Sequence, residues 1–185
     1  MPLSITAKKP KASLRRKLRG VKAGRIGTKA RDMRFMGPDG QEYASRFEYV
    51  VFDAYRRSGT PCRRTIKGSR DTLSYTLPVR NATCGSCGSD KIGQQRKYTP
   101  DLFHDGDPER GGEQGYFIEV KGYLRAPQRS LLRAFCKARP DVNLRFILQR
   151  DFPISKSSTI SVWISRFLKK KWVVWDGKIP EKWNG

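Results

Sequence analysis

The sequence predicts a mixed α/β domain behind a basic N-terminal arm. Apolar residues recur at helical spacing in some stretches and alternate at strand spacing in others, and the two kinds interleave along the chain instead of segregating. A third observation is length: 185 residues leave room for one ordinary core of about 100 to 150 residues and a tail, so one domain is expected.

Residues 1–40 carry Lys8, Lys9, Lys11, Arg15, Arg16, Lys17, Arg19, Lys22, Arg25, Lys29, Arg31 and Arg34 against Asp32 and Asp39, with few large apolar side chains. Such a segment buries too little surface to offset its ordering entropy, so a flexible arm that binds phosphates is expected. From Gln41 the pattern changes. Phe47, Val50, Val51 and Ala54 fall at i, i+3, i+4 and i+7 before Ser58-Gly59, which predicts an amphipathic helix with Glu48 at the edge of its buried stripe.

Thr72 to Val79 alternates Leu73, Tyr75 and Leu77 as a strand, and Pro78 pushes its far end to an edge or a crossover. A Gly- and Cys-rich loop follows at 81–95. Lys97 to Phe103 and Tyr116 to Lys121 then read as two strands joined by a polar, Gly-rich turn at Asp105 to Gly115. Pro127 marks a first helical turn, Leu131, Leu132 and Phe135 its buried face, and Pro140 its end. Asn143 to Gln149 alternates as a strand, Ile160 to Leu168 repeats a helical stripe through Ile164 and Phe167, and Trp172 to Trp175 forms a last short strand. The expected order is helix, strands, helix, strand, helix, strand.

Lys and Arg outnumber Asp and Glu by 39 to 17, a net charge of +22, which makes nucleic acid the expected partner. No run approaches the roughly 18 apolar residues that would cross a bilayer, and the first ten residues have no apolar core for secretion. No membrane partner is expected, and the expected location is cytoplasmic. Four cysteines in such a chain read as thiols or metal ligands before disulfides.

Side chains two apart on a strand share a face, so Glu119 and Lys121 point together while Val120 turns away, and Asp101 can lie beside them on the partner strand. Two carboxylates meet the minimum that Mg²⁺ takes from protein, with water and substrate phosphate supplying the rest. Lys121 would position water or neutralise charge on the phosphate. Glu-x-Lys alone is common on solvent-facing strands. Tyr98-Thr-Pro-Asp101 leading in, the apolar Tyr116-Phe-Ile before Glu119, and Gly122 after Lys121 add weight.

Together these residues resemble the PD-(D/E)xK nuclease superfamily, as Pro100-Asp101 and Glu119-Val-Lys121. Ser45-Arg-Phe-Glu48, Leu77-Pro-Val79, Tyr98 to Leu102, Phe117 to Gly122 and Lys178 to Trp183 occur in the same order as in the endonuclease I family of T-seven-like bacteriophages. The resemblance covers about residues 43–183 and makes 41–185 the nuclease domain. It implies a restriction-endonuclease-like mixed sheet flanked by helices, and cleavage of four-way (Holliday) and branched double-stranded DNA that depends on Mg²⁺ or Mn²⁺ and leaves 5′-phosphates.

By matching position, Asp101 would bridge two metals, Glu119 and the Val120 carbonyl would complete one, and Glu48 would hold the other, with Lys121 as the catalytic lysine. The resemblance also implies a domain-swapped homodimer that exchanges strands near Ser74 to Ala82, so that Glu48 joins Asp101 and Glu119 of the opposite chain. The expected cytoplasm is the host's if the chain is phage-encoded.

Cys84-Gly-Ser-Cys87 departs from that family's pattern and supplies half of a structural zinc site, with Cys62 a candidate third ligand and a reduced, metal-free loop the alternative. Arg125, Arg129 and Arg133, four apart on one helical face, are DNA-binding candidates, as is Lys169-Lys-Lys171. Trp163, Trp172, Trp175 and Trp183 read as core, and His104 as a strand end. Two other readings stay open. One is a nuclease of the same superfamily with another substrate, such as a transposon end or a mismatch; the other is a basic nucleic-acid-binding protein whose carboxylates are structural.

Overall fold

The computed structural model describes residues 34–78, 93–106 and 114–184. The arm residues Lys8 to Arg19, Cys84 and Cys87 therefore lie outside the described residues.

Residues 34–40, which composition places in the arm, form a hairpin with residues 41–43. β1 (Phe35–Met36) pairs antiparallel with β2 (Glu42–Tyr43), and the Phe35 ring packs 5.5 Å from that of Tyr49. High charge around this stretch hides two apolar residues that suffice for a short pairing.

α1 (Arg46–Arg57) starts at Ser45, whose hydroxyl accepts from the Glu48 N–H at 3.1 Å, and ends at Ser58 with Gly59 at φ +69°. Its buried face is Glu48, Val51 and Tyr55 with Phe52 packed beside them, while Val50 is 40 % exposed. The stripe expected through Val50 and Ala54 is thus rotated, and Glu48 lies within it instead of at its edge. Tyr55 and Phe52 offer more apolar area than Ala54 and Val50, so they win the core.

The central sheet has five strands. β6 (Leu102–Gly106) pairs antiparallel with β3 (Cys62–Arg64) on one side and with β7 (Gln114–Lys121) on the other. β8 (Leu144–Leu148) runs parallel to β7, and β11 (Trp172–Val174) parallel to β8. The order across the sheet is β11-β8-β7-β6-β3. Parallel neighbours need crossovers. α2 (Ala126–Ala138) supplies one, with Pro127 in its first turn and Pro140 just beyond it. The second is α3 (Ile160–Trp163), which continues as a π-helical turn through Leu168. That wider turn places Leu168 under Ile160 and Ile164 and leaves Phe167 41 % exposed, which corrects the stripe expected through Phe167.

One face of the sheet packs on α1 through Val51, Tyr55, Ile118, Val120 and Ile147. The opposite face packs Leu144, Phe146 and Leu148 against Leu132, Phe135, Ile160 and Ile164. β8 is buried throughout, as a central strand with helices on both sides must be. Trp163 is buried and the other three tryptophans pack against these cores, in line with their reading as core residues.

The stretch expected to run extended from Lys97 to Phe103 is divided. β5 (Gly93–Tyr98) pairs antiparallel with β4 (Leu73–Pro78) in a separate two-stranded sheet, and the chain turns at Thr99-Pro100-Asp101 before entering β6. Gly93 to Gln95 therefore belong to a strand and not to the preceding loop. Two small strands, β9 (Pro153–Ser155) and β10 (Ser158–Thr159), pair between β8 and α3. No helix among the described residues is long and apolar enough to cross a membrane.

Candidate active site

The pairing of β6 with β7 decides where the carboxylates meet. Leu102 stands opposite Ile118, so Asp101 enters the sheet alongside Glu119 and Val120. Its main chain is held from both neighbours: the Asp101 N–H donates to the Ile118 carbonyl at 3.1 Å, and its carbonyl accepts from the Thr65 N–H at 3.2 Å. The Thr65 hydroxyl also donates to the Pro100 carbonyl. Asp101 Oδ2 accepts from the Val120 N–H at 2.8 Å. Val120, whose carbonyl is the expected metal ligand, orients Asp101 through its amide.

Glu119 and Lys121 share the face that carries Phe117, as the strand period requires. Lys121 Nζ lies 2.5 Å from Glu119 Oε1 and 3.5 Å from Asp101 Oδ2. Two acidic groups therefore converge on one cation.

Glu48 arrives from α1. Its Oε2 accepts from the Ala44 N–H at 3.0 Å, and its Oε1 lies 3.9 Å from Arg64 Nη2. The residue is 6 % exposed, and Glu119 4 %. Burial raises the Glu48 pKa and the nearby Asp101 charge adds to it; the Ala44 N–H, Arg64 and Lys121 act against the rise. Glu48, Asp101, Glu119 and Lys121 thus form one electrostatic group within a single chain.

Burial pushes the Glu119 carboxyl up to about 7, with Asp101 adding to the effect and Lys121 opposing it. For Lys121 burial acts downward, but Asp101 and Glu119 outweigh it and hold the ammonium charged. A carboxyl whose pKa rises on folding favours the fold while protonated and loses that contribution as pH climbs from the ordinary value of 4.5 through 7. Glu119→Gln should therefore raise the Tm of the metal-free protein at pH 8 and change it little at pH 5. Each tenfold change in the ionisation constant corresponds to about 1.4 kcal/mol, or roughly 3–6 °C in a chain of this size. Thermal melts of both proteins across that pH range check this; equal Tm values at pH 8 would show that Lys121 compensates Glu119 fully.

Two residues that the sequence did not assign complete the surroundings. Arg64, on the edge strand β3, stacks over Tyr43 at 4.1 Å, donates to Gln41 Oε1 and the Glu42 carbonyl, and brings positive charge to Glu48. Tyr98 packs its ring 4.4 Å from that of Phe135 and buries its hydroxyl near Glu119. That hydroxyl and Glu119 Oε2 are both buried without a hydrogen-bond partner of good geometry, although the hydroxyl is close enough to favour the carboxylate. Tyr98 was visible as the start of Tyr-Thr-Pro-Asp. Nothing local distinguishes Arg64.

The donor set fits a hard divalent ion. Asp101 and Glu119 present oxygens to one point, Glu119 Oε2 is a buried acceptor with no hydrogen-bond partner of good geometry among the described residues, and the carboxylate and backbone groups expected to hold Mg²⁺ are all oxygen donors. Among the described residues no three His, Cys, Asp or Glu side chains come together at ligand spacing; two carboxylates face Lys121.

Other candidates stand apart. His104 stacks on Tyr116 at 4.6 Å with its Nδ1 accepting from the Gly106 N–H, so it belongs to the α1-side core. Cys62 packs in the same core, where burial pushes its thiol up to about 12, an unfavourable setting for a thiolate ligand. Arg125, at the N-cap of α2, and Arg133 are exposed, whereas Arg129 donates to the Leu124 carbonyl at 2.7 Å. Lys170 donates to the Val142 carbonyl at 2.6 Å.

In comparisons with known proteins, no family model matches this chain, and neither does any curated protein or solved structure.

Proposed function

We propose that this chain is a divalent-metal-dependent DNA endonuclease that cleaves four-way and other branched junctions as a homodimer. The observation that carries the proposal is the convergence of buried Glu119 and half-buried Asp101 on a single cation, beside buried Glu48, in a chain of net charge +22. Carboxylates are rarely buried unless paired or used, and a perturbed group in such a cluster is a functional candidate.

Asp101, Glu119 and Glu48 would hold Mg²⁺ or Mn²⁺, with the Val120 carbonyl and two ions per site following from the resemblance to the endonuclease I family. Ions so held supply Lewis acidity at the scissile phosphate and lower the pKa of water. The protein's own share is positional. The Val120 N–H fixes the Asp101 carboxylate, Ala44 and Arg64 fix Glu48, and Lys121 offsets charge building on the phosphate. The basic arm, Arg125 and Arg133 would grip the DNA backbone, where each phosphate contact steepens the salt dependence of binding.

Preference for junctions rests on the five motifs that occur in the family's order. The test compares a four-way junction with linear duplex of the same sequence in Mg²⁺. The junction is expected to be cut and the duplex largely spared. Equal cutting would move the reading to another DNA substrate, and binding without cleavage of either would leave a non-catalytic nucleic-acid-binding protein.

A further inference from the structure

Strand geometry places Lys121 over Glu119, and the pairing of β6 with β7 brings Asp101 Oδ2 to the same point. The lysine side chain is only 19 % exposed there. An ammonium and a divalent ion seek the same thing, namely anionic oxygens converging on one point. They cannot share it: Mg²⁺ binds such oxygens at about 2.0–2.1 Å, and the ammonium already lies 2.5 Å from Glu119 Oε1.

We propose that Lys121 is the resident cation of the metal-free site: it holds Asp101 and Glu119 together until a divalent ion displaces it, and displacement frees the ammonium for the DNA phosphate. This rests on the metal-dependent reading above and adds an order of events to it. Without a cation, the buried Glu119 and the half-buried Asp101 beside it would be left without a counter-charge, which is destabilising. With Lys121 in place the need is only partly met, because Glu119 Oε2 has no hydrogen-bond partner of good geometry among the described residues. The incoming ion finds Asp101 already oriented by the Val120 N–H and one acceptor of Glu119 open. A DNA phosphate offers the displaced ammonium another anion. Metal and DNA must then strengthen each other's binding, since coupling between sites is reciprocal.

The test is calorimetric titration of Mg²⁺ into the full chain, unaltered and as Lys121→Met, at pH 8.5. Removing the competitor should tighten Mg²⁺ binding about tenfold or more, although the same change removes the catalytic lysine. Equal or weaker binding by the variant overturns the inference. Because the variant leaves buried Glu119 and half-buried Asp101 without a cation, a second measurement uses the unaltered chain. Acetylation of the Lys121 amine, followed by mass spectrometry, should proceed severalfold faster with Mg²⁺ or Ca²⁺ present; unchanged labelling also overturns the inference. If neither protein binds Mg²⁺, the metal-dependent reading fails with it, whereas binding by both without tightening sinks the displacement alone.

Discussion

Asp101→Asn and Glu119→Gln are each expected to lower Mg²⁺-dependent cleavage by about 10²–10³-fold or more, the scale for removing one preorganised charge-stabilising group, while leaving DNA binding intact. The substitutions are close to isosteric, and the surroundings tolerate them. The Asp101 backbone is pinned by Ile118 and Thr65 independently of its side chain, and an Asn oxygen can still accept from the Val120 N–H. In Glu119→Gln the ammonium of Lys121 keeps Asp101 as a partner at 3.5 Å. What each variant lacks is the negative charge that would hold a hard cation. Cleavage of a labelled junction and gel-shift binding, measured on the same preparations, separate chemistry from affinity. Cleavage at the unaltered rate would remove these residues from the site.

The parts of the site set by the strand period were legible in the sequence. Glu119 and Lys121 had to share a face, and a hairpin was enough to place Asp101 beside them. Glu48 was harder. A helical stripe read from apolar residues alone passes through Phe47, Val50, Val51 and Ala54, whereas the observed face turns by about one residue to bury Tyr55, Phe52 and, with them, a carboxylate. An apolar pattern has no place for a glutamate in its core. It therefore set Glu48 at the edge, and only the motif resemblance singled it out. Arg64 lay beyond reach because β3 is three residues long, too short to show a period, and its contacts with Gln41, Glu42 and Glu48 are set by the fold around it. The break at Pro100 was missed for a different reason. β5 and β6 are nearly continuous in sequence and both extended, but they pair in different sheets, and only tertiary pairing separates them.

Mixing Glu48→Gln chains with Asp101→Asn chains is expected to restore cleavage that neither has alone. The candidate site divides cleanly along the chain: Glu48 and Arg64 precede the expected crossing segment near Ser74 to Ala82, and Asp101, Glu119 and Lys121 come after it. If two chains exchange their N-terminal portions there, each contact across the division is remade between chains, including the pairing of β3 with β6, the hydrogen bond from Thr65 to Asp101 and the packing of α1 on Ile118. Exchange of identical elements therefore costs little. Gln can still accept from the Ala44 N–H, so neither variant loses its helix start. In an exchanged heterodimer one site carries both substitutions and the other carries neither. Random pairing of equal amounts after joint refolding would leave on the order of one intact site in four. The product is diagnostic: a dimer with one working site nicks a junction but cannot make the paired cuts that resolve it. Nicked junctions from the mixture would assign Glu48 and Asp101 of one site to different chains. An inactive mixture would mean that each chain builds its own site, in the closed arrangement where Glu48 already reaches the field of Asp101 and Lys121.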